Sequence, residues 1–162
     1  ALLRASAKRQ LYTSRPVPSS KFQHNLIRKE ECNMALPTPV PADCLKSICM
    51  VESNGKMPDP LCRMDGGSLS CGPYQIKEAY WTDARMKGGD LMGSWKKCAA
   101  SFSCSEQAIH GYMARYAVFG RLNHQPTNED FARIHNGGPN GFKKPCTLEY
   151  WSRVNALLNG PK

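Results

Sequence analysis

CRMDGGSLSCGPYQI, residues 62–76, is the stretch on which the fold turns. Gly66 and Gly67 at its centre separate short runs of alternating polar and apolar residues, and Gly72-Pro73 adds a second turn signal. Period-two alternation broken by a glycine pair marks a small hairpin or irregular sheet. Just upstream, CLKSICMVES (residues 44–53) follows a different period. Leu45, Ile48, Cys49 and Glu52 fall at i, i+3, i+4 and i+7, one face of a helix that opens on Asp43 as N-cap and stops at Asn54-Gly55. From Ile76 onward the patterns are mostly helical, over about residues 76–86, 94–101, 105–119, 128–136 and 147–158. Ser103-x-x-Glu106 reads as a capping box for the third of these, Gly120 and Gly137 as stops, and Asn159-Gly160-Pro161 as the end of the last. The fold class expected is α+β, predominantly helical with a small β-hairpin or sheet.

The 162 residues suit one compact domain with an additional arm. No apolar run approaches the length of a membrane span, and no repeat of 20–50 residues is present. The eight cysteines, Cys32, Cys44, Cys49, Cys62, Cys71, Cys98, Cys104 and Cys146, are an even number without the paired spacings of a metal site. They read as a disulfide framework and point to a secreted, extracellular protein. The pairing is open, although Cys98 and Cys104 could close a short local loop. No metal is expected.

Charge is unevenly placed. Residues 1–31 hold seven Lys/Arg against two acids, so this segment carries more than half of the net +9. It lacks cysteine, sustained periodicity and the apolar stretch of a signal peptide, and is read as a basic flexible arm or propeptide remnant. Residues 32–162 form the folded domain. The positive charge favours an anionic bacterial surface as partner, whereas the absence of an RNP motif, zinc finger or basic recognition helix excludes nucleic acid.

Two carboxyls are placed in contrasting settings. Glu52 shares the apolar face of its helix and lies in the last turn, where lost hydration and the helix dipole both disfavour its charged form. Asp65 precedes Gly66-Gly67, with Ser68 and Ser70 close by, where hydroxyls and backbone N–H groups would stabilise a carboxylate. One proton-bearing and one charged carboxyl is the division of labour that glycoside hydrolysis requires.

Four blocks carry a resemblance: CLKSICMVES (44–53), MDGGSLSCGPYQIKEAYW (64–81), SWKKCAASFSCSEQAIHGYMARY (94–116) and RIHNGGPNGFKKPCTLEYW (133–151). Together they resemble the invertebrate-type lysozymes, the group that includes destabilase. The resemblance implies a lysozyme-like, disulfide-cross-linked fold and a muramidase that cleaves the β-1,4 bond between N-acetylmuramic acid and N-acetylglucosamine in peptidoglycan, with retention. Chitooligosaccharide-like glycans are implied as further ligands. Glu52 matches the proton donor and Asp65 the nucleophile. The family's sugar-binding segment matches Lys77, Glu78, Ala79, Tyr80, Trp81, Thr82 and Asp83, with Tyr112, Tyr116, His135, Asn136 and Gly137 contributed by later blocks. Aromatic faces pack on sugar C–H groups, and glycine lets backbone approach a ligand. The family's second reported chemistry, isopeptide hydrolysis by a Ser/Lys pair, matches Ser70 with Lys56 or Ser68 with Lys77. Carboxylate chemistry on an acetal needs no cofactor, and a monomer or weak homodimer is expected.

The chain departs from the family at Ser47, near Lys56, at Ala84 and at Phe142, where relatives commonly carry cysteine. Four absences correspond to two missing bridges, one of which would constrain the loop between Glu52 and Cys62. Phe142 supplies apolar volume where a bridge is absent.

Overall fold

The computed structural model describes residues 39–85, 91 and 93–160. The basic arm expected over residues 1–31 lies outside these residues, as does Cys32. Helix α1 spans Ala42–Ser53. Strands β1 (Cys62–Asp65), β2 (Ser68–Cys71) and β3 (Ile76–Lys77) follow. Then come α2 (Glu78–Arg85), α3 (Trp95–Ala99), α4 (Phe102–Tyr116), α5 (Phe119–Leu122), α6 (Asn128–Gly137) and α7 (Leu148–Asn159). Two 3₁₀ turns, Gly141–Lys143 and Pro145–Thr147, join α6 to α7. The architecture is the helical α+β fold expected.

The helices bury a single core that includes Ile48, Ile109, Met113, Phe131, Ile134 and Val154, each almost inaccessible to solvent. Helix α1 packs on α7 and α6, and α2 lies along α4. That second contact needs Gly111, where a Cβ would stand 2.7 Å from the carbonyl oxygen of Ala84. The sheet is antiparallel in the order β1-β2-β3, with Asp65 opposite Ser68 and Arg63, Ser70 and Lys77 in one cross-strand row. Gly66 and Gly67 adopt φ of +57° and +82°, the positive-φ pair that a two-residue hairpin turn demands. Period two then sorts the sheet by face. Arg63, Asp65, Ser68, Ser70 and Lys77 share one side, and Cys62, Met64, Leu69, Cys71 and Ile76 the other.

Several local expectations are corrected. Ile76 and Lys77 pair with β2 instead of opening a helix, because Lys77 and Ile76 have partners in Ser70 and Cys71. Pro41, not Asp43, caps α1, and Asp43 sits in the first turn accepting the Cys44 N–H at 2.8 Å. Ser101, not Ser103, caps α4 through the Cys104 N–H, while Glu106 is drawn away to accept the Tyr74 hydroxyl at 2.7 Å. Helix α4 ends at Tyr116, so Gly120 falls within α5 and does not terminate the longer helix. The capping box of the domain is at Thr127 and Asp130, at the start of α6.

Among the described residues the cysteine framework consists of two bridges. Cys62–Cys71 bridges an opposed pair of β1 and β2, and Cys98–Cys104 closes the short loop. Cys44, Cys49 and Cys146 are free thiols. The first two lie on one helix but turn to different neighbours: Cys44 Sγ lies 4.0 Å from the Asn128 carbonyl and Cys49 Sγ 3.9 Å from Ser53 Oγ. Burial, with Asp43 nearby, pushes the Cys44 thiol up to about 12, so it packs as a small neutral group. Cys146 is exposed on the second 3₁₀ turn.

Candidate active site

Helix α1 ends in a left-handed turn at Asn54, whose N–H returns to the Met50 carbonyl at 3.0 Å. This stop leaves Glu52 in the final turn, its side chain only 14% exposed. Three elements distant in sequence close around it. Tyr150 of α7 donates its hydroxyl to Glu52 Oε1 at 2.8 Å. His135 of α6 places Nε2 3.7 Å from the same oxygen. Arg63 of β1 brings a guanidinium nitrogen to 4.0 Å from Oε2. Burial is the largest influence on the Glu52 carboxyl and raises it above the ordinary carboxylate range; the Tyr150 hydrogen bond, then Arg63 and Arg153, pull it back, and the negative charge of Asp65 adds to the rise.

His135 is held through both ring nitrogens. Its Nε2 donates to the Tyr74 carbonyl at 3.1 Å, which leaves Nδ1 to accept the Tyr80 hydroxyl at 3.2 Å. Full burial lowers the imidazole to about 4, against a smaller opposing effect of the Tyr74 carbonyl. The Tyr80 ring stacks on Tyr112 with centroids 3.6 Å apart. A packed aromatic wall thus backs Glu52.

Asp65 stands in the opposite setting. It lies at the β-turn, its side chain 62% exposed, with Lys77 Nζ 3.2 Å from Oδ2 and Ser70 donating to the same oxygen at 3.3 Å. Lys77 also donates to the Asp65 carbonyl at 2.8 Å, and Ser68 to that carbonyl at 3.4 Å. The polar face of the sheet therefore holds the Asp65 carboxyl in water, beside an ammonium and a hydroxyl.

Glu52 and Asp65 line one cleft of about 330 Å³, together with Arg63, Gln75, Lys77, Ala79, Tyr80, Tyr112, His135, Asn136, Gly137 and Gly138. Among the residues matched to sugar binding, Lys77, Ala79, Tyr80, Tyr112, His135, Asn136 and Gly137 are brought to this cleft. Others stand elsewhere. Trp81 is buried in the core, one residue and about a quarter of a helical turn from Tyr80. Glu78 borders a smaller depression with Ser68, Leu69 and Trp95. Thr82 bonds back to the Glu78 carbonyl at 2.9 Å. Asp83 accepts the Tyr116 hydroxyl at 2.8 Å and faces Arg115 at 3.7 Å. Tyr116 tilts against Tyr112 at the cleft's edge.

Neither Ser/Lys pair is assembled for nucleophilic attack. Ser70 is buried and donates to Asp65, and no hydrogen bond joins it to the exposed Lys56. Ser68 and Lys77 both donate to the Asp65 carbonyl, so neither is directed at the other. Among the described residues, no group of His, Cys, Asp and Glu could hold a metal ion, and no helix is long and apolar enough to cross a membrane.

Sequence reasoning missed Tyr150, Arg63 and Gln75. Arg63 had a signal, since strand alternation puts it on the Asp65 face. Tyr150 had none of its own, because its partner is 98 residues away.

Comparison with known proteins places this geometry in context. The family profile described as Destabilase matches residues 41–157. A lysozyme of Meretrix lusoria is 47% identical over 115 residues, which are 70% of this chain and 87% of that protein. An invertebrate-type lysozyme of Ruditapes philippinarum is 47% identical over 122 residues, 75% of this chain and 84% of that protein. The crystal structure of inhibitor-bound lysozyme from Meretrix lusoria superposes with a TM-score of 0.63 at 45% identity, covering 75% of this chain and 93% of that one.

Proposed function

The chain belongs to the destabilase family of invertebrate-type lysozymes, and from that premise we propose that it is a secreted muramidase acting on bacterial peptidoglycan. The observation that carries the reading is the pairing of a buried Glu52, whose carboxyl burial raises, with a solvated, lysine-bound Asp65 along one cleft. Glu52 gives its proton to the departing glycosidic oxygen. Asp65 attacks or stabilises the sugar cation from the other side, and a covalent intermediate that water then opens gives retention. Once the leaving sugar has gone, Glu52 is the base that activates this water.

The surrounding residues have matching roles. Tyr150 can hold one oxygen of Glu52, which leaves Oε2 as the atom from which the proton departs. Asn136 presents its amide to sugar hydroxyls, and the Gly137-Gly138 backbone permits close approach. The Tyr80 and Tyr112 pair offers an apolar surface for sugar C–H groups. Two disulfides agree with an oxidising extracellular setting, and the net charge of +9 agrees with an anionic bacterial wall. Antibacterial defence or digestion of bacteria follows from this chemistry.

The test is clearing of a peptidoglycan suspension by Glu52→Gln, an isosteric change that keeps the acceptor for Tyr150 and removes the transferable proton. Lysis is expected to fall by about 10²- to 10⁴-fold. A cationic, non-enzymatic mode of action predicts instead killing of bacteria that survives Glu52→Gln and heat inactivation and fades with salt.

A further inference from the structure

Resting on the muramidase reading, we propose that the Tyr112–Gly138 end of the cleft is a carboxylate-binding subsite, in which Arg121 receives an anionic group on the peptide side chains of the substrate glycan. Arg121 sits in α5, between the third and fourth of the blocks that carry the resemblance and within the stretch the family profile matches. Its position relative to the cleft is fixed twice over. Its Nη2 donates to the Pro139 carbonyl at 2.9 Å and to Asn140 Oδ1 at 3.1 Å, directly after the cleft-lining Gly138. Its guanidinium also lies over the Tyr116 ring, 5.3 Å from the centroid, and that ring leans on the cleft-lining Tyr112 at 4.7 Å. The charge of Arg121 is felt at the Tyr112 hydroxyl.

The guanidinium is held but not neutralised. Both of its hydrogen bonds leave from Nη2 and end on neutral oxygens, so the Nε and Nη1 donors make no hydrogen bond to the described residues. No carboxylate among the described residues pairs with Arg121. Arg133 and Arg115, by contrast, are paired with carboxylates, Glu129 at 2.7 Å and Asp83 at 3.7 Å. At the catalytic centre, Arg63 and Lys77 face Glu52 and Asp65. A pre-oriented guanidinium with free donors beside a sugar cleft is suited to a carboxylate. In peptidoglycan the groups that bear carboxylates are the peptides attached to alternate sugars, which project sideways from the glycan chain.

The experiment compares soluble peptidoglycan fragments carrying their free peptide carboxylates with the same fragments after those carboxylates are converted to neutral amides. With the native protein, KM on the free-carboxylate form is expected to be about tenfold lower at low salt, with kcat unchanged. Arg121→Gln should erase that preference while leaving KM on the amidated form as it was. Equal KM on the two forms with the native protein would overturn the subsite, and so would a preference that survives Arg121→Gln. Because the first comparison needs no variant, a folding defect in Arg121→Gln cannot mask the result. Failure of the muramidase reading has a different signature, namely no cleavage of either form.

Discussion

The two halves of the cleft handle a carboxyl group in opposite ways. On the helical side, Glu52 is enclosed by Tyr150, His135 and the Tyr80–Tyr112 stack, and the enclosure makes charge expensive. On the sheet side, Asp65 stands on a two-residue turn in water, with an ammonium and a hydroxyl on one oxygen. The contrast follows from secondary structure. A helix end packed into a core buries what it carries, whereas the polar face of a small sheet leaves its residues wet. A helix delivers the acid and a hairpin delivers the nucleophile, and neither element could easily take the other's part.

The largest effects should come from removing one carboxyl at a time, and their stability signatures should differ. Glu52→Gln costs about 10²- to 10⁴-fold in activity yet should raise the thermal midpoint at neutral pH. A carboxyl whose folded pKa exceeds its unfolded one stabilises the fold at low pH, and that stability is lost as pH rises through the window. Gln escapes the cost of burying charge and retains the Tyr150 hydrogen bond. Asp65→Asn should lose activity on the same scale, with a change in midpoint too small to matter, because its exposed ion pair with Lys77 contributes only about 0–1 kcal/mol. Calorimetry at pH 7 checks both. Equal midpoint changes in the two variants would erase the contrast on which the mechanism rests.

Much of this arrangement can be read from sequence because its parts are local. The i, i+7 spacing put Glu52 on the core face of α1, and Asp65-Gly66-Gly67-Ser68 specified the turn. What could not be read depends on contacts between distant segments. Tyr150 is 98 residues from Glu52, and only the packing of α7 on α1 joins them. Tyr80 and Trp81 look interchangeable as sugar platforms, but successive helical residues diverge by about 100°, so one reaches the cleft and the other the core. Ser101 and Ser103 are equivalent caps by residue type. The demand of Tyr74 for Glu106 removed the partner that favoured Ser103. Cysteine count alone also misled, since Cys44 and Cys49 found polar neighbours instead of thiols.

A smaller effect separates the neighbours within the helical half. His135 and Glu52 lie 3.7 Å apart and should respond to pH with opposite signs. The folded imidazole titrates at about 4 instead of an ordinary 6.5, so its contribution is present above pH 6.5 and is lost as pH falls toward 4. The gap corresponds to about 3 kcal/mol of stability. Chemical denaturation of the native protein and His135→Gln between pH 7 and 4 measures it, because the variant keeps an N–H donor for the Tyr74 carbonyl but does not titrate. The native protein should lose stability relative to the variant over this range. Parallel curves would mean that protonated imidazole is tolerated beside Glu52, and the wall behind the acid would be more polar than it looks.

The smallest effect is also the most diagnostic of how the acid is tuned. Burial raises the Glu52 carboxyl, and the hydrogen bond from Tyr150 partly opposes that rise by favouring the charged form. Tyr150→Phe removes the opposing contribution while the ring keeps filling its place in α7. Glu52 should then hold its proton to higher pH, and the basic limb of the kcat/KM profile should move upward. Because the proton donor is the form that works, activity on the alkaline side should increase relative to the native protein even if the maximum falls. A limb that moves downward would mean that Tyr150 stabilises the protonated acid. The hydroxyl would then be accepting a hydrogen bond from the carboxyl, and the proton would start from Oε1 instead of Oε2.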